Sequence, residues 1–335
     1  MIDFRYHLVS LISVFLALAV GIALGAGPLK QTLGDTLTGQ VQQLRTEKAQ
    51  LRSQLDDTAG QLKDSNAYLD AASDQLLQGT LAGRRVAVVS LGAVPQDERS
   101  AVDDRLTQAG ATISAHVTLD DAWASAEQRS FRQGLVGYLL GYLNPAPAKG
   151  AGVQAELAQA LVQGLVRGEA GKPDTLTQDS SVLLQLLSSG QTPLVTLANP
   201  VTAPADAIVV LAVPVATTSG ATPAPTGAQD ATSSALAVVS AAQSLSHGAV
   251  LVDGSVAAGS LASAVLADKT LAGELSTVSG ADTVAGQVTV PLALAARIAG
   301  TNGHYGFGSG LTPMPARTAV PSAASASGTA PRTTG

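Results

Sequence analysis

The sequence predicts an α/β protein in which a single amino-terminal transmembrane helix and a coiled-coil helix precede a mainly parallel sheet covered by helices on both faces. Three observations support this prediction. A charge-free apolar stretch opens the chain, a leucine-rich heptad repeat follows it, and the remainder alternates between short apolar runs and helical patterns. Continuous Val-rich runs are typical of parallel strands that are buried on both faces.

The composition of the 335 residues excludes several classes of function. Hydrophobic residues make up 46% of the chain and charged residues 13%, and the net charge is −6. A protein that binds nucleic acid needs a basic face to neutralise phosphates, so we expect no nucleic-acid partner. The chain has no cysteine, which excludes disulfides, thiolate metal sites and a cysteine nucleophile.

The first apolar stretch, residues 8–29, reads LVSLISVFLALAVGIALGAGPL and carries no charge. As a helix it would reach about 33 Å, enough to cross a hydrocarbon core of about 30 Å. We therefore interpret it as a transmembrane helix. A cleaved secretory signal is the alternative, because Ala23 and Gly25 have the spacing of a cleavage site, but the apolar run is long and the leading segment is barely cationic.

The charges that flank this stretch leave its orientation open, because Arg5 precedes it and Lys30 follows it. Only residues 1–7 precede the stretch, whereas residues 30–335 follow it. This arrangement suits a short cytoplasmic tail and an exported body. We expect a single-pass protein of the cell membrane with an extracytoplasmic carboxyl-terminal domain.

A heptad repeat over residues 30–80 predicts a coiled coil. With Val41 at position a and Leu44 at position d, the alternating spacing of three and four residues keeps one side of the helix against a partner. The residues of this predicted dimer seam are Leu37, Val41, Leu44, Lys48, Leu51, Leu55 and Leu62.

Two features of the repeat favour a parallel homodimer. Lys48 at an a position fits a dimer better than a crowded trimer core, and Glu47 at g with Arg52 at the following e forms the ion pair that bridges parallel helices. After Leu55 the d positions become polar or small. A lone amphipathic helix that lies on its own globular domain therefore remains the alternative.

Residues 84–312 are predicted to form the extracytoplasmic α/β domain. Residues 131–143 are too short for a second membrane crossing, so they predict a buried helix whose glycines permit close packing. A loop at 216–228 and a Pro, Ala, Ser and Thr tail at 313–335 have little to bury, and the tail is predicted to be disordered. Strands are expected at 86–91, 111–119, 194–198, 207–213, 249–253 and 275–278, and helices at 95–109, 131–143, 153–167, 180–189, 232–247, 261–266 and 283–299.

The chain lacks the common catalytic motifs. The first predicted strand is not followed by a glycine-rich dinucleotide fingerprint, and no phosphate loop, nucleophile elbow or H-E-x-x-H motif occurs. We therefore expect no enzyme. Asp253, at the carboxyl end of a predicted strand, is a pocket candidate because open α/β sheets place their crevices there, although a turn is the commoner role of Asp-Gly. A hydrolase or ligand pocket around Asp253 is the remaining enzymatic alternative.

A glycine-rich loop, residues 303–310 with the sequence GHYGFGSG, follows the last predicted helix. Tyr305 and Phe307 make it a candidate contact loop. His304 together with Met314 could form a soft-metal site, so copper is a possible ligand and no other cofactor is expected. The structural alternative is that the loop ends the helix and crosses the end of the sheet.

The opening MIDFRYHLVSLISVFLALAVGIALGAGPL, the coiled coil, and the segment from GQV at 286–288 to GHYG at 303–306 resemble the actinobacterial copper transport protein B family, of MctB type. The resemblance implies a role in copper homeostasis and an envelope pore-forming protein. It also implies a bitopic, coiled-coil partner of a membrane protein that controls cell-wall remodelling and division.

These expectations give two functional hypotheses. The first is a membrane-anchored envelope protein associated with copper homeostasis or export, acting as a dimeric coiled-coil extracytoplasmic protein. The second is a scaffold or regulator of cell-wall remodelling and division that docks a membrane partner, with indirect effects on copper. Both require the membrane and a protein partner in the envelope.

Overall fold

A computed structural model describes residues 4–26, 28–213, 228–254, 256–318 and 320. They fall into two compact units, Met1–Ala67 and Tyr68–Gly335. The helices are α1 (Phe4–Ala26), α2 (Pro28–Leu77), α3 (Gln96–Gln108), α4 (Arg129–Leu139), α5 (Val153–Val166), α6 (Gln178–Ser188), α7 (Ala228–Leu245), α8 (Leu261–Ala267), α9 (Lys269–Glu274) and α10 (Val284–Ile298). The strands are β1 (Arg85–Ser90), β2 (Thr112–Leu119), β3 (Gly168–Glu169), β4 (Lys172–Leu176), β5 (Val195–Leu197), β6 (Ala207–Leu211), β7 (Ala249–Asp253), β8 (Ser276–Ser279) and β9 (His304–Tyr305).

The second unit is built on a sheet with the strand order β5-β2-β1-β6-β7-β8-β9. Every neighbouring pair is parallel except β2 and β5, which run antiparallel. The chain moves from β1 to β2 on one side and later adds β6, β7 and β8 on the other, so the order reverses beside β1. The predicted α/β class with a mainly parallel sheet is confirmed.

The central strands bury both of their faces. Val86 and Val88 of β1 pack into one core with α3, α10 and the end of α2, whereas Ala87 and Val89 pack into the other with α4 to α8. Successive side chains of a strand point to opposite faces, so one Val-rich strand contributes to both cores. This arrangement explains why the strand sequences are apolar throughout instead of alternating.

The last turns of α2 belong to the α/β unit. Leu77 is fully buried, and Arg105 of α3 donates through Nη1 to the hydroxyl of Ser73 at 2.8 Å and forms an ion pair with Asp70. Arg317 donates from Nη2 to the carbonyl of Gln78 at 2.7 Å. The last carbonyl groups of a helix have no partner within the helix, so a cation that bonds a carbonyl at this end stabilises it.

Two predicted segments lie largely outside the described residues. The structure describes neither 214–227, which hold nearly all of the predicted loop at 216–228, nor 319 and 321–335 of the predicted tail. In the described part of that tail, Arg317 bonds α2 and Val320 is buried. Residues that contact the α/β unit therefore occur beyond residue 312, where the domain was predicted to end.

Several elements of the α/β unit differ from the sequence-based expectation. The β3–β4 hairpin, α9 and β9 were not predicted, because most of the hairpin is exposed and lacks an apolar pattern, while α9 and β9 are short. The predicted strand at 194–198 is present as β5 but antiparallel. An edge strand of three residues holds too little sequence to specify its direction.

The expectation of close packing through the glycines of residues 131–143 is wrong. This segment forms α4 and a following 3₁₀ turn at Leu140–Tyr142. No atom lies within 4 Å of the position that a Cβ atom would take at Gly134, Gly137 or Gly141. Only one side of α4, which includes Val136, is buried. The glycines lie on the exposed side.

Candidate functional site

The apolar residues of α1 are exposed in the isolated chain. The segment Phe4–Leu24 has a mean hydropathy of 2.4, and it is the one described helix long and apolar enough to cross a membrane. None of its most apolar window is buried within the protein. A helix of 21 residues spans about 30 Å, so the observed segment matches the thickness of a bilayer core.

The predicted seam lies on one continuous helix, α2, and its apolar side chains are exposed. Leu44 is 63% exposed and Leu51 64%, and the least exposed member, Val41, is still at 46%. Residues spaced three and four apart lie on the same side of a helix, so these side chains form one apolar row. In the described part of the first unit, no side chain covers that row.

The two charged residues predicted to flank the seam make no ion pair with each other in one chain. Glu47 accepts a hydrogen bond from Nε2 of Gln43 at 2.9 Å, and no described residue pairs with the guanidinium group of Arg52. Both side chains lie beside the apolar row. Arg52 is therefore available to a carboxylate from outside the chain.

Asp253 ends β7 at the carboxyl edge of the sheet, and its side chain is 1% exposed. Its carboxylate accepts hydrogen bonds from the backbone N–H groups of Gly254 and Ala262, both at 2.8 Å. Burial raises the pKa of Asp253, and the bonds from backbone amides oppose that rise. The geometry gives this predicted pocket residue a structural role, since it ties β7 to the start of α8.

Sequence reasoning missed a second buried carboxylate near Asp253. Glu98, in the first turn of α3, is 9% exposed, and no described residue forms a hydrogen bond or ion pair with its carboxylate. Burial is the main cause that raises the pKa of Glu98, followed by the charges of Asp282, Asp97 and Asp253. In the sequence, Glu98 follows Pro95 by three residues, a pattern that usually indicates an exposed acidic residue in the first turn of a helix.

Glu98→Gln is expected to stabilise the fold at neutral pH by about 1 kcal/mol, because it removes an unpaired buried charge. A raised carboxyl pKa means that the fold is most stable below the ordinary pKa of Glu and loses stability as the pH rises through the raised value. The gain of the variant should therefore shrink between about pH 7 and pH 4.

Denaturant unfolding of the two proteins across this pH range measures the effect. Asp104→Asn is the matched control, because Asp104 is an exposed carboxylate on the same helix. We expect the control to change stability little at any pH. A Glu98→Gln variant with an unchanged pH profile would contradict the assignment of an unfavourable charge to Glu98.

Both ring nitrogens of His304 are already engaged. Nδ1 lies 3.0 Å from the hydroxyl oxygen of Thr277, and Nε2 lies 3.0 Å from the carbonyl oxygen of Ala272. These contacts hold β9 against β8 and α9. A metal ion at His304 would have to replace one of them, and the predicted second ligand, Met314, is 44% exposed. Among the described residues, no group of three or more His, Asp or Glu side chains is arranged to hold a metal ion.

The two aromatic residues of the predicted contact loop lie in different environments. Tyr305 is 5% exposed and packs in the core, whereas Phe307 is 74% exposed. A Cβ atom at Gly303 would overlap the phenol group of Tyr305, so the glycine makes room for the ring. Of these two rings, only that of Phe307 is open to solvent.

The apolar amino-terminal helix, the exposed row on α2 and the α/β unit together define a class of membrane-associated α/β proteins. The chain matches the family described as "Copper transport outer membrane protein, MctB" over residues 1–315. It belongs to the MctB family.

Mycobacterial relatives match almost the entire chain. The copper transporter MctB of Mycobacterium tuberculosis is 28% identical over 316 residues, which cover 92% of this chain and 98% of the relative. The copper transporter MctB of Mycobacterium leprae is 28% identical over 325 residues, covering 93% of this chain and 98% of the relative. The family identifies a copper-related protein of the cell envelope.

Proposed function

We propose that this chain is a membrane-anchored protein of copper homeostasis in the envelope, and that it works as a parallel homodimer joined along α2. The names of the mycobacterial relatives support the link to copper. The exposed apolar row on α2 is the observation that supports the homodimer. In this proposal α1 anchors each copy, residues 1–7 lie on the cytoplasmic side and the α/β unit is extracytoplasmic.

A second copy of the chain is the occupant that best fits the row. The apolar seam residues are all at least 46% exposed, and burying a Leu side chain contributes about 1.5–3 kcal/mol. In a parallel pair, Glu47 of one copy faces Arg52 of the other, so the flanking charges are complementary. Parallel helices also allow both copies of α1 to enter the same membrane side by side.

The surroundings of His304 favour an indirect role in copper handling over binding at the glycine-rich loop. Its two nitrogens bond Thr277 and Ala272, so that ligation would cost at least one existing hydrogen bond. A thioether and one imidazole also provide fewer ligands than copper sites use. We propose that the assembled dimer contributes to copper homeostasis by acting on an envelope partner.

The proposal can be tested by measuring the growth on copper of cells that lack this protein and carry either the wild-type chain or a variant. The wild-type chain should restore growth on copper, whereas Leu44→Asp combined with Leu51→Asp should not, because the added charges prevent dimer formation. Gln42→Asp combined with Ala49→Asp adds the same charges at b positions and should restore growth. Full rescue by the seam variant would contradict the requirement for a dimer.

A copper(I) titration of the purified chain, with a competing chelator, separates indirect action from direct binding. We expect no tight stoichiometric binding, and the same result for His304→Ala combined with Met314→Ala. Stoichiometric binding that the double variant loses would overturn the indirect role and make His304 and Met314 a copper site. Immunoblots check that the variants of the growth experiment are present at equal levels in the cells.

A further inference from the structure

A cavity of about 480 Å³ lies between α4, α5 and α7 in the α/β unit, on the sheet face away from α3 and α10. Arg129 and Arg132 line it from α4, the first turn of α5 from the second side, and Asp230 from α7. Its volume is in the range of small-molecule sites. Neither the anchor nor the seam contributes to this cavity, so a ligand could bind there with or without the dimer.

Arg132 places a buried guanidinium group at the wall of the cavity. The residue is only 6% exposed, and its Nη1 donates to the carbonyls of Ala122 and Ser125, both at 2.7 Å. No described residue accepts a hydrogen bond from Nε or Nη2. Burial lowers the pKa of Arg132, the neighbouring charge of Arg129 adds to that effect, and the charge of Asp230 opposes it. The guanidinium group therefore keeps free donors at the wall of the cavity, and a negative group that bonds them would offset the cost of burying its charge.

The first turn of α5 supplies a second set of free donors. Gly152 is the N-cap residue, with φ of +86°, and it has no side chain that could accept from the helix. The backbone N–H groups of Val153, Gln154 and Ala155 have no acceptor among the described residues, and all three residues line the cavity. Free amides and the positive end of the helix dipole make such a turn suitable for an anion.

The fixed charges around the cavity do not balance. Asp230 pairs with Arg129, with Oδ2 and Nη2 2.8 Å apart, and this ion pair is partly exposed to solvent. Arg132 forms no ion pair with a described carboxylate, so Asp230 is the one carboxylate of the cavity lining that faces the charges of both arginines. The site therefore has one surplus buried cation beside the uncapped turn of α5.

We propose that this cavity binds the phosphate group of a small molecule. A tetrahedral dianion has enough acceptor atoms to bond the guanidinium group of Arg132 and the amides of α5 at the same time. Arg129 lies at the same wall and reinforces the attraction, in competition with Asp230. The remaining volume of the cavity accommodates the organic part of the ligand.

The test is calorimetric titration of the full chain in a phosphate-free, uncharged detergent, with inorganic phosphate and glycerol 1-phosphate as probes. Arg129→Gln should weaken binding about tenfold, because it removes one charged donor. Asp230→Asn should strengthen binding, because it removes the competing carboxylate. Lys172→Gln is the matched control: Lys172 is an exposed cation outside the cavity, and its loss should leave binding unchanged.

Arg132→Lys provides a further variant that keeps the charge but loses the planar set of donors, and it should weaken binding of both probes. Phosphatidic acid added to the micelles tests a lipid-borne phosphate. Binding of this lipid without binding of the soluble probes would assign the phosphate group to a lipid and overturn the proposal of a small molecule, whereas binding of the soluble probes supports it. Absence of binding by all three, or equal effects of Arg129→Gln and Lys172→Gln, would overturn the proposal.

Discussion

Leu44→Asp combined with Leu51→Asp is expected to convert the proposed parallel dimer into monomers. Both side chains are more than 60% exposed in the single chain and would be buried against a partner. Four leucines per dimer lose their contacts, and four carboxylates would have to enter an apolar seam. The dissociation constant should rise more than about 100-fold.

Sedimentation equilibrium of the full chain, in detergent that is matched in density to the solvent, measures this change. Gln42→Asp combined with Ala49→Asp is the control, since both residues are exposed on α2 outside the seam and the added charge is the same. We expect that control to remain dimeric. An unchanged dimer in the seam variant would mean that the two copies associate through a surface other than the apolar row on α2.

Substitutions at Glu47 and Arg52 provide an independent test of whether the two α2 helices run parallel, by the same sedimentation measurement. Exchanging Glu47 and Arg52 for each other keeps the net charge and restores the pair in a parallel dimer. Glu47→Arg alone places like charges across the interface, so it should weaken the dimer at low salt and much less at high salt. Salt-independent behaviour would contradict a parallel register with Glu47 facing Arg52.

The fold could be predicted because its strongest signals are local in sequence. The apolar runs of β1, β6 and β7 are buried on both faces, so each reads as a strand without knowledge of its neighbours. The antiparallel β5 and the exposed β3–β4 hairpin depend on tertiary contacts that leave no periodic pattern. The orientation of the α4 glycines was mispredicted because composition does not show which side of a helix is buried.

The candidate sites were less accessible to sequence reasoning. Asp253 was found because it ends a strand, yet its bonds to backbone amides are a tertiary feature. Glu98 and Arg132 resemble ordinary surface residues in sequence, since each lies at a helix start. Their burial depends on how α3 and α4 pack, and that information is spread over the entire α/β unit.

Gly286→Ala is expected to destabilise the α/β unit strongly, although it adds only one methyl group. Gly286 lies in the first turn of α10, and an added Cβ atom would overlap the carbonyl group of Gly280 and lie 3.1 Å from the carbonyl oxygen of Ser279. These are backbone atoms at the end of β8, so no side chain can rotate away. The cost should be about 3 kcal/mol or more, and the Tm should fall by about 10 °C.

Gly137→Ala makes the same chemical change where the opposite result is expected. Gly137 lies within α4, and no atom lies within 4 Å of the position of its Cβ atom. Alanine favours the helix by about 0.5–1 kcal/mol over glycine, so the Tm should rise by about 2 °C. Thermal unfolding of both variants beside the wild type measures the contrast. Equal shifts would show that α10 does not pack against the end of β8 as closely as described, because only that packing separates the two glycines.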